Sequence, residues 1–496
     1  MSATLEIVQT IGIVTAADYD RFNMALCKEL KRRTGCRVVL YVSGPESVRS
    51  HERFRKEGIV DDIVDRDVLL PAASRADLDA EAVFARAREL EGLIGCTYNE
   101  VMMTRRDIGR GFALGGYYHP RLPGVDRLSY VQVVHGINEN LAFWKNEIES
   151  RKLDLIINGQ KDAAVVARAL GVPYRFLYSS RVGNSYYWSH DEFFEVSGLR
   201  EAYDRLEGSR FEPVEIDQPY YQEIKSRAKA LQGSVFARFL RQSVKWLMRQ
   251  TYLTLKGYRS IGDHSILSGI ALYGRKVREL RKVRPPAAQS LDSIKGLRFV
   301  FYPLQTEPEM ALQWMSPECF CQLGVIASLV RDLPVGVLLA VKDTVHAVGR
   351  RPDDFYDQIR EFKNVVLLDV MERGVDVVGQ AAAVATISST AGLEAAIMGK
   401  PVIMFGRHNG YQFVPHVQLV TREEDLRPAL RRALAASTDR GRSGRDGARL
   451  RQALMNASFD LGEFDPLQPG SFSQPDIAAA ASALLDSIRK DKATAA

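Results

Sequence analysis

Val384-Ala385-Thr386-Ile387-Ser388-Ser389-Thr390-Ala391-Gly392-Leu393-Glu394, continued by Ala395-Ala396-Ile397-Met398-Gly399-Lys400-Pro401-Val402-Ile403-Met404-Phe405-Gly406, is the stretch whose reading decides the fold. Val384 to Ile387 is a short apolar run of the kind that forms a buried strand. Leu393 to Met398 reads as a helix, Gly399-Lys400-Pro401 stops it, and Val402 to Phe405 is a second buried strand. Strand, loop, helix, strand in that order is a parallel βαβ unit. Three hydroxyls and a glycine stand where the first N–H groups of a helix are open and its dipole favours an anion. The junction therefore reads as a phosphate loop built from Ser388, Ser389, Thr390 and Gly392. Glu394 is placed to accept hydrogen bonds from ribose hydroxyls. The same letters also spell a capping box, in which Ser or Thr caps the helix and Glu caps back. Local spacing does not separate the two. Ligands of doubly wound sheets sit beyond the C-terminal ends of the strands, and that position favours phosphate.

Working outward, strands are expected at Arg298 to Pro303, Val335 to Val341 and Val365 to Leu368, with helices at Glu318 to Arg331, Asp353 to Glu361 and Val375 to Ala382. Strict β/α alternation predicts a doubly wound parallel sheet. Two further segments fall at the same sheet edge. After the first strand comes Tyr302-Pro303-Leu304-Gln305-Thr306-Glu307-Pro308-Glu309, where Gln305 and Glu309 could face a cleft, or simply form a Pro-punctuated loop. After the second comes Lys342, then His346, Arg350 and Arg351, cations suited to a diphosphate or a carboxylated sugar, or else a solvated basic loop.

Upstream, Leu5 to Val14, Arg37 to Val42, Val131 to Val134, Leu155 to Asn158 and Tyr174 to Leu177 read as strands. They alternate with helical patterns at Tyr19 to Arg33, Glu81 to Leu93, Tyr98 to Phe112 and Asp162 to Leu170, again a parallel α/β signature. Ser189 to about Gln289 is different, charged and largely helical in period, and Pro285-Pro286 closes it as a linker. Asp439 to Gly447, with its arginines and glycines, reads as a flexible loop, and Pro475 to Lys490 as a helix. The expected division is 1–190, an N-terminal α/β domain; 191–290, a helical basic insertion; 291–425, a second α/β domain; and 426–496, C-terminal helices.

The chain has 496 residues, 46% hydrophobic and 26% charged, an ordinary globular composition with room for two or three cores. Its net charge of +6 is uneven: Lys225 to Arg284 holds fifteen basic residues against Asp263 and Glu279, a local +13 that leaves −7 elsewhere. Phe, Trp and Tyr interleave with these cations, a pattern that fits an anionic membrane surface, a solvated helical face or nucleic acid. No nucleic-acid fold motif supports the last, and no nucleic-acid partner is expected. The five scattered cysteines complete no zinc pattern, so no metal site is expected and the thiols read as reduced. With neither a long apolar run nor a basic n-region, a cytoplasmic location is expected, peripheral on the inner membrane if 225–284 meets lipid.

The run from Phe301 to Gly406 resembles the capsule polysaccharide biosynthesis family, which includes Kdo-transferase-like enzymes. The resemblance rests on Tyr302-Pro303-Leu304-Gln305 with Glu307-Pro308-Glu309, on Val341-Lys342 with Gly349-Arg350-Arg351-Pro352, and on Asn364-Val365. Ser389-Thr390-Ala391-Gly392-Leu393-Glu394-Ala395 and Gly399-Lys400-Pro401-Val402-Ile403-Met404-Phe405-Gly406 complete it, and Ser180-Arg181-Val182-Gly183-Asn184 is similar to a family turn. An acid-His-Pro step usual after the lysine is replaced here by Asp343-Thr344-Val345-His346-Ala347. The resemblance implies an α/β, GT-B-like fold: two Rossmann-like domains facing a cleft, here with a basic helical insertion between them. It implies a metal-independent glycosyltransferase of capsule or surface polysaccharide synthesis, with no cofactor beyond its substrates. A nucleotide-sugar donor would bind the C-terminal domain, and a glycan or lipid-linked acceptor the N-terminal one.

A base is then needed to deprotonate the acceptor hydroxyl. Asp107, among Arg105, Arg106 and Arg110, ranks first and Glu100 second, ahead of His119 and His135. Arg110, His119 and Arg181 are the candidate acceptor-binding residues. Two other functions fit the same fold, a non-catalytic polysaccharide-binding or export-assembly protein and a sugar-nucleotide epimerase.

Overall fold

The computed structural model describes residues 8–15, 19–103, 105, 127–216, 235–258, 266–307, 309–319, 321–436, 440–465 and 471–495. Thirteen strands within these residues form two sheets. The first is ordered β3-β2-β1-β4-β5-β6-β13, from β1 (Thr10–Val14), β2 (Arg37–Val42), β3 (Asp62–Asp65), β4 (Leu155–Ile157), β5 (Tyr174–Ser179), β6 (Ser185–Ser189) and β13 (Phe459–Asp460). β1 to β5 run parallel; β6 returns antiparallel on β5, and β13 pairs antiparallel with β6. The second sheet is wholly parallel, ordered β9-β8-β7-β10-β11-β12, from β7 (Arg298–Pro303), β8 (Val337–Lys342), β9 (Val365–Leu367), β10 (Ala383–Thr386), β11 (Val402–Met404) and β12 (Val417–Leu419). Counted within its own sheet this is 3-2-1-4-5-6, the doubly wound order. The expected architecture of two Rossmann-like domains is thus the observed one.

Helices cover both faces of each sheet, so the strands read as unbroken apolar runs. β2 shows how: Val39 and Tyr41 point into one core with Leu141 and Trp144, while Val38, Leu40 and Val42 point into another with Leu26, Leu30 and Leu484. In the second sheet Val300 and Tyr302 alternate with Phe299 and Phe301 in the same way.

Two local expectations are corrected, and three strands are added. Val131 to Val134 is no strand: it opens the helix Tyr130–Arg151. Ser129 and Gln132 form a reciprocal capping box there, and Val133, Val134, Ile137, Leu141 and Trp144 share one buried face, so cap and period outweigh the β-branched run. His135 is therefore helical. Asp439 to Gly447 is no flexible loop, since residues 440–456 are the helix Arg440–Asn456. Its glycines serve close packing: a Cβ at Gly447 would lie 2.2 Å from the Ile397 carbonyl oxygen. Residues 185–189 continue the first sheet as β6, and β3 and β12 are strands the apolar pattern did not mark.

The chain end crosses back. The helices Leu426–Ala436 and Arg440–Asn456 pack on the second sheet's layers, whereas β13 and the helix Gln474–Ala495 return to the first sheet, the latter against the helix Asp20–Thr34. Within the basic insertion lie the helix Leu199–Asp204, which packs on the helix Arg440–Asn456, and a pair of packed helices, Val235–Leu255 and Ile266–Leu280.

Candidate functional site

The order 3-2-1-4-5-6 puts the topological switch point between β7 and β10, where the connections diverge and leave a crevice. The loops leaving those two strands meet there. The Gln305 side chain donates to Ser388 Oγ at 3.1 Å, and the Ser388 backbone N–H donates to Gln305 Oε1 at 3.2 Å. Gln305 is itself fixed by Gln322, which accepts from its N–H at 2.7 Å and donates to its carbonyl at 2.8 Å. Both Gln305 and Ser388 are buried. They form a rigid floor between two strand ends that are eighty-three residues apart in sequence.

From that floor rises the helix Thr390–Ile397, with Ser389 at its N-cap in extended geometry. The Ser389 hydroxyl does not cap the helix. It turns back to Thr386, sharing a 2.8 Å hydroxyl contact while the Ser389 N–H donates to Thr386 Oγ1 at 3.0 Å. Side-chain capping, one of the two readings of this sequence, is therefore not used at Ser389; in the first turn the Gly392 N–H donates to the Ser389 carbonyl at 3.1 Å, and the helix start keeps the positive end of its dipole. Gly392 acts differently from expectation. It is buried, and the place of a Cβ is taken by Thr386 Cγ2 at 2.5 Å and Tyr411 Oη at 2.9 Å, so the glycine permits close helix-to-strand packing and not the approach of a ligand.

Arg181 stands in the turn after β5, as expected. It occupies the tip of the β5–β6 hairpin with φ +65°, a left-handed conformation uncommon for a side-chain-bearing residue. From there it reaches the second domain, donating to Thr390 Oγ1 at 3.1 Å and to Tyr178 Oη at 2.9 Å. It therefore lies beside the start of the helix Thr390–Ile397. A guanidinium against the positive end of a helix dipole is unfavourable by itself and favourable with an anion between them.

The β8 loop divides into an outer and an inner part. Lys342 and Arg350 are half-buried and His346 is exposed. Arg351 points inward at 1% exposure and is not placed to touch a ligand. Its fork donates to Asp343 at 2.9 and 3.0 Å, to Glu307 at 3.1 Å and to the Gln305 carbonyl at 2.6 Å, while Tyr356 donates to Asp343 at 2.7 Å. This buried knot ties the β7 and β8 loops together. Burial pushes the Glu307 carboxyl upward and the nearby guanidinium opposes the shift. Glu309 is half-buried at the start of the next turn, where its N–H donates to Gln313 at 2.6 Å. Glu394 lies in the first turns of the helix Thr390–Ile397; burial pushes the Tyr411 hydroxyl's pKa up, and the negative charge of Glu394 adds to the shift.

On the other side of the crevice, Asp107, Arg110 and His119 lie outside the described residues. Glu100 is half-buried on the short helix Tyr98–Met102, which packs against the turn Met310–Trp314 of the second domain. It is thus on an element at the domain interface. Its negative charge acts on Lys161, which is buried at 1% exposure with its ammonium pKa driven down by desolvation. At the end of β1, Asp20 accepts from Thr15 at 2.8 Å and lies 3.1 Å from His51 Nε2. His408, from the loop after β11, stacks on Phe193 at 3.7 Å and bonds Glu195 at 2.8 Å, a second bridge between the domains. Sequence reasoning missed these pairs because each joins residues far apart in the chain.

No curated protein matches this chain. Among solved structures it is similar to a β-Kdo 2,4 transferase, KpsC of Thermosulfurimonas dismutans, at 16% identity over 57% of this chain and 79% of that one, TM-score 0.29. It is similar to Acinetobacter baumannii MurG at 11% identity over 97% and 99%, TM-score 0.27. It is also similar to a putative UDP-N-acetylglucosamine 2-epimerase from Listeria monocytogenes at 9% identity over 89% and 90%, TM-score 0.28. Residues 222–413 match the family described as capsule polysaccharide biosynthesis protein. The matched segment holds the switch-point floor, the helix start and the β8 loop.

Proposed function

We propose that the protein is a glycosyltransferase of capsule polysaccharide synthesis that takes its sugar from a nucleotide-sugar donor held by the second domain. The observation that carries this reading is the helix start at Thr390, left without a Ser389 side-chain cap above the Gln305–Ser388 floor and faced by Arg181. Such a junction suits a nucleotide's phosphate. Lys342 and Arg350 on the adjoining loop add positive charge where the leaving nucleotide develops its negative charge. Glu394 is the proposed ribose acceptor, and Glu309 and His346 border the donor. Charge stabilisation by these groups requires no metal ion and no cofactor. The acceptor, a glycan or a lipid-linked sugar, faces the first domain. The base that takes its hydroxyl proton is Asp107 or, failing that, Glu100.

The test is incubation of the full chain with CMP-, UDP- and GDP-sugars and glycan acceptors, read by mass spectrometry. Transfer from one donor, lost in Glu394→Ala and in Lys342→Ala while the fold persists, supports the reading. Full activity in both variants removes the donor-site assignment. Conversion of the donor sugar without transfer identifies an epimerase. No turnover and no stabilisation by any nucleotide identifies a binding or assembly protein.

A further inference from the structure

The helix Val235–Leu255 buries one face and leaves another exposed among the described residues. Leu253 is buried and Trp246 packs toward the helix Ile266–Leu280, where a Cβ at Gly269 would overlap its ring at 1.9 Å. A second face carries Leu240, Val244, Leu247, Met248 and Leu255, each between 49% and 81% exposed. At 100° per residue these five fall within one arc of about a quarter-turn, an unbroken apolar stripe. Along one side of the stripe, at 241, 245, 249 and 256, stand Arg241, Lys245, Arg249 and Lys256, all exposed. Leu267 and Ile270 of the second helix are exposed as well.

The helix pair is anchored to both domains. Arg249 pairs with Glu46 at 3.3 Å and Arg49 lies over the Tyr258 ring, both on the helix Pro45–Lys56 that follows β2. On the other side Arg275 and Arg278 hold Asp353, and Glu279 accepts from the Gly349 N–H at 2.7 Å. Those contacts are on the helix that follows β2 and on the segment that follows β8. The stripe is therefore held in fixed relation to the crevice.

We infer that this stripe docks on an anionic lipid bilayer, with the leucines and Met248 in the acyl boundary and the flanking cations at the headgroups. Charge complementarity selects this occupant. A row of cations alongside a continuous apolar face lowers its energy against anionic headgroups, whereas a neutral apolar partner would leave Arg241, Lys245 and Lys256 at the rim unanswered. No helix among the described residues is long and apolar enough to cross a membrane, so contact would be along the surface. Docking in this way would present the crevice to acceptors anchored in the same leaflet. The inference stands independently of the donor-site reading.

The experiment is sedimentation of the full chain with vesicles of mixed phosphatidylglycerol and phosphatidylcholine, beside vesicles of phosphatidylcholine alone. The protein should bind the anionic vesicles and release them at high salt. Leu247→Glu with Met248→Glu should lower partitioning by about tenfold or more, and Arg241→Glu with Lys245→Glu should do the same by charge reversal. Far-ultraviolet circular dichroism checks that each variant is folded. Equal sedimentation of the folded variants overturns the inference, as does a parent that ignores anionic vesicles. A parent dimer that the Leu247→Glu, Met248→Glu variant abolishes, without vesicle binding, also overturns it in favour of self-association.

Discussion

Replacing Arg351 by alanine would remove the one cation of a buried knot and leave Asp343 and Glu307 facing each other without compensation. Arg351 is 1% exposed and its guanidinium supplies four hydrogen bonds, three of them to these carboxylates. Taking away one partner of a buried pair costs about 3–5 kcal/mol, because the remaining charge has lost its hydration and gains nothing in return. At about 2–4 °C per kcal/mol for domains of roughly 150–250 residues, that cost lowers the melting temperature of the second domain by roughly 6–20 °C. Arg351→Lys keeps the charge but loses the planar fork, so its loss should be intermediate. The deficit should also depend on pH. Burial already raises the Glu307 carboxyl, and without the guanidinium nothing opposes that shift, so its folded pKa lies above its unfolded one. The penalty at Glu307 is then full above the folded value, shrinks as pH falls through it, and vanishes below the unfolded one. Calorimetry and urea titration at neutral and mildly acidic pH measure this directly. A loss below about 1 kcal/mol at pH 7, or one that grows on acidification, would refute the account of this knot.

Gly392→Ala should destabilise the second domain by about 1–3 kcal/mol through overlap with Thr386 Cγ2, and Thr386→Ser, which removes that methyl but keeps the hydroxyl, should restore part of it; urea titration of the single and double variants checks this. Burial raises the Glu279 carboxyl to about 7, so the protein should lose stability between about pH 5 and 8 as that group ionises, and Glu279→Gln should flatten this part of the profile. The sign follows from a folded value above the unfolded one: below both the group is neutral in each state, and above both its buried charge is a cost.

Most of the fold was legible in the sequence because parallel strands buried on both faces read as apolar runs, and the βαβ alternation does the rest. The stretch from Val384 to Gly406 has its strands and helix within a few residues of the expected limits. Short strands with mixed character were not legible. β3 is only half-buried, and β6 is a Tyr- and Trp-bearing strand added at the sheet's far side, so neither carries the apolar run of a central strand. The meeting of Gln305 and Ser388 at one sheet edge followed from strand ends alone. What did not follow was the direction in which each side chain points. Arg350 and Arg351 are adjacent in sequence, yet Arg351 is buried beneath the loop because Asp343 and Glu307 lie there. Arg181 was legible as a turn residue, but its reach to Thr390 depends on how the two domains are set against each other. Asp20–His51 and His408–Glu195 are tertiary pairs of the same kind.

The central claim is that a nucleotide's phosphate sits between Arg181 and the start of the helix Thr390–Ile397. Isothermal titration of the full chain with CMP, UDP, GDP and their sugar conjugates, repeated on Arg181→Ala, tests it most directly. One nucleotide should bind, and loss of a charge-assisted contact worth about 1.5–3 kcal/mol should weaken it by roughly 10- to 150-fold without lowering thermal stability to match. Binding of no nucleotide, or equal affinity in the folded Arg181→Ala protein, would contradict the claim.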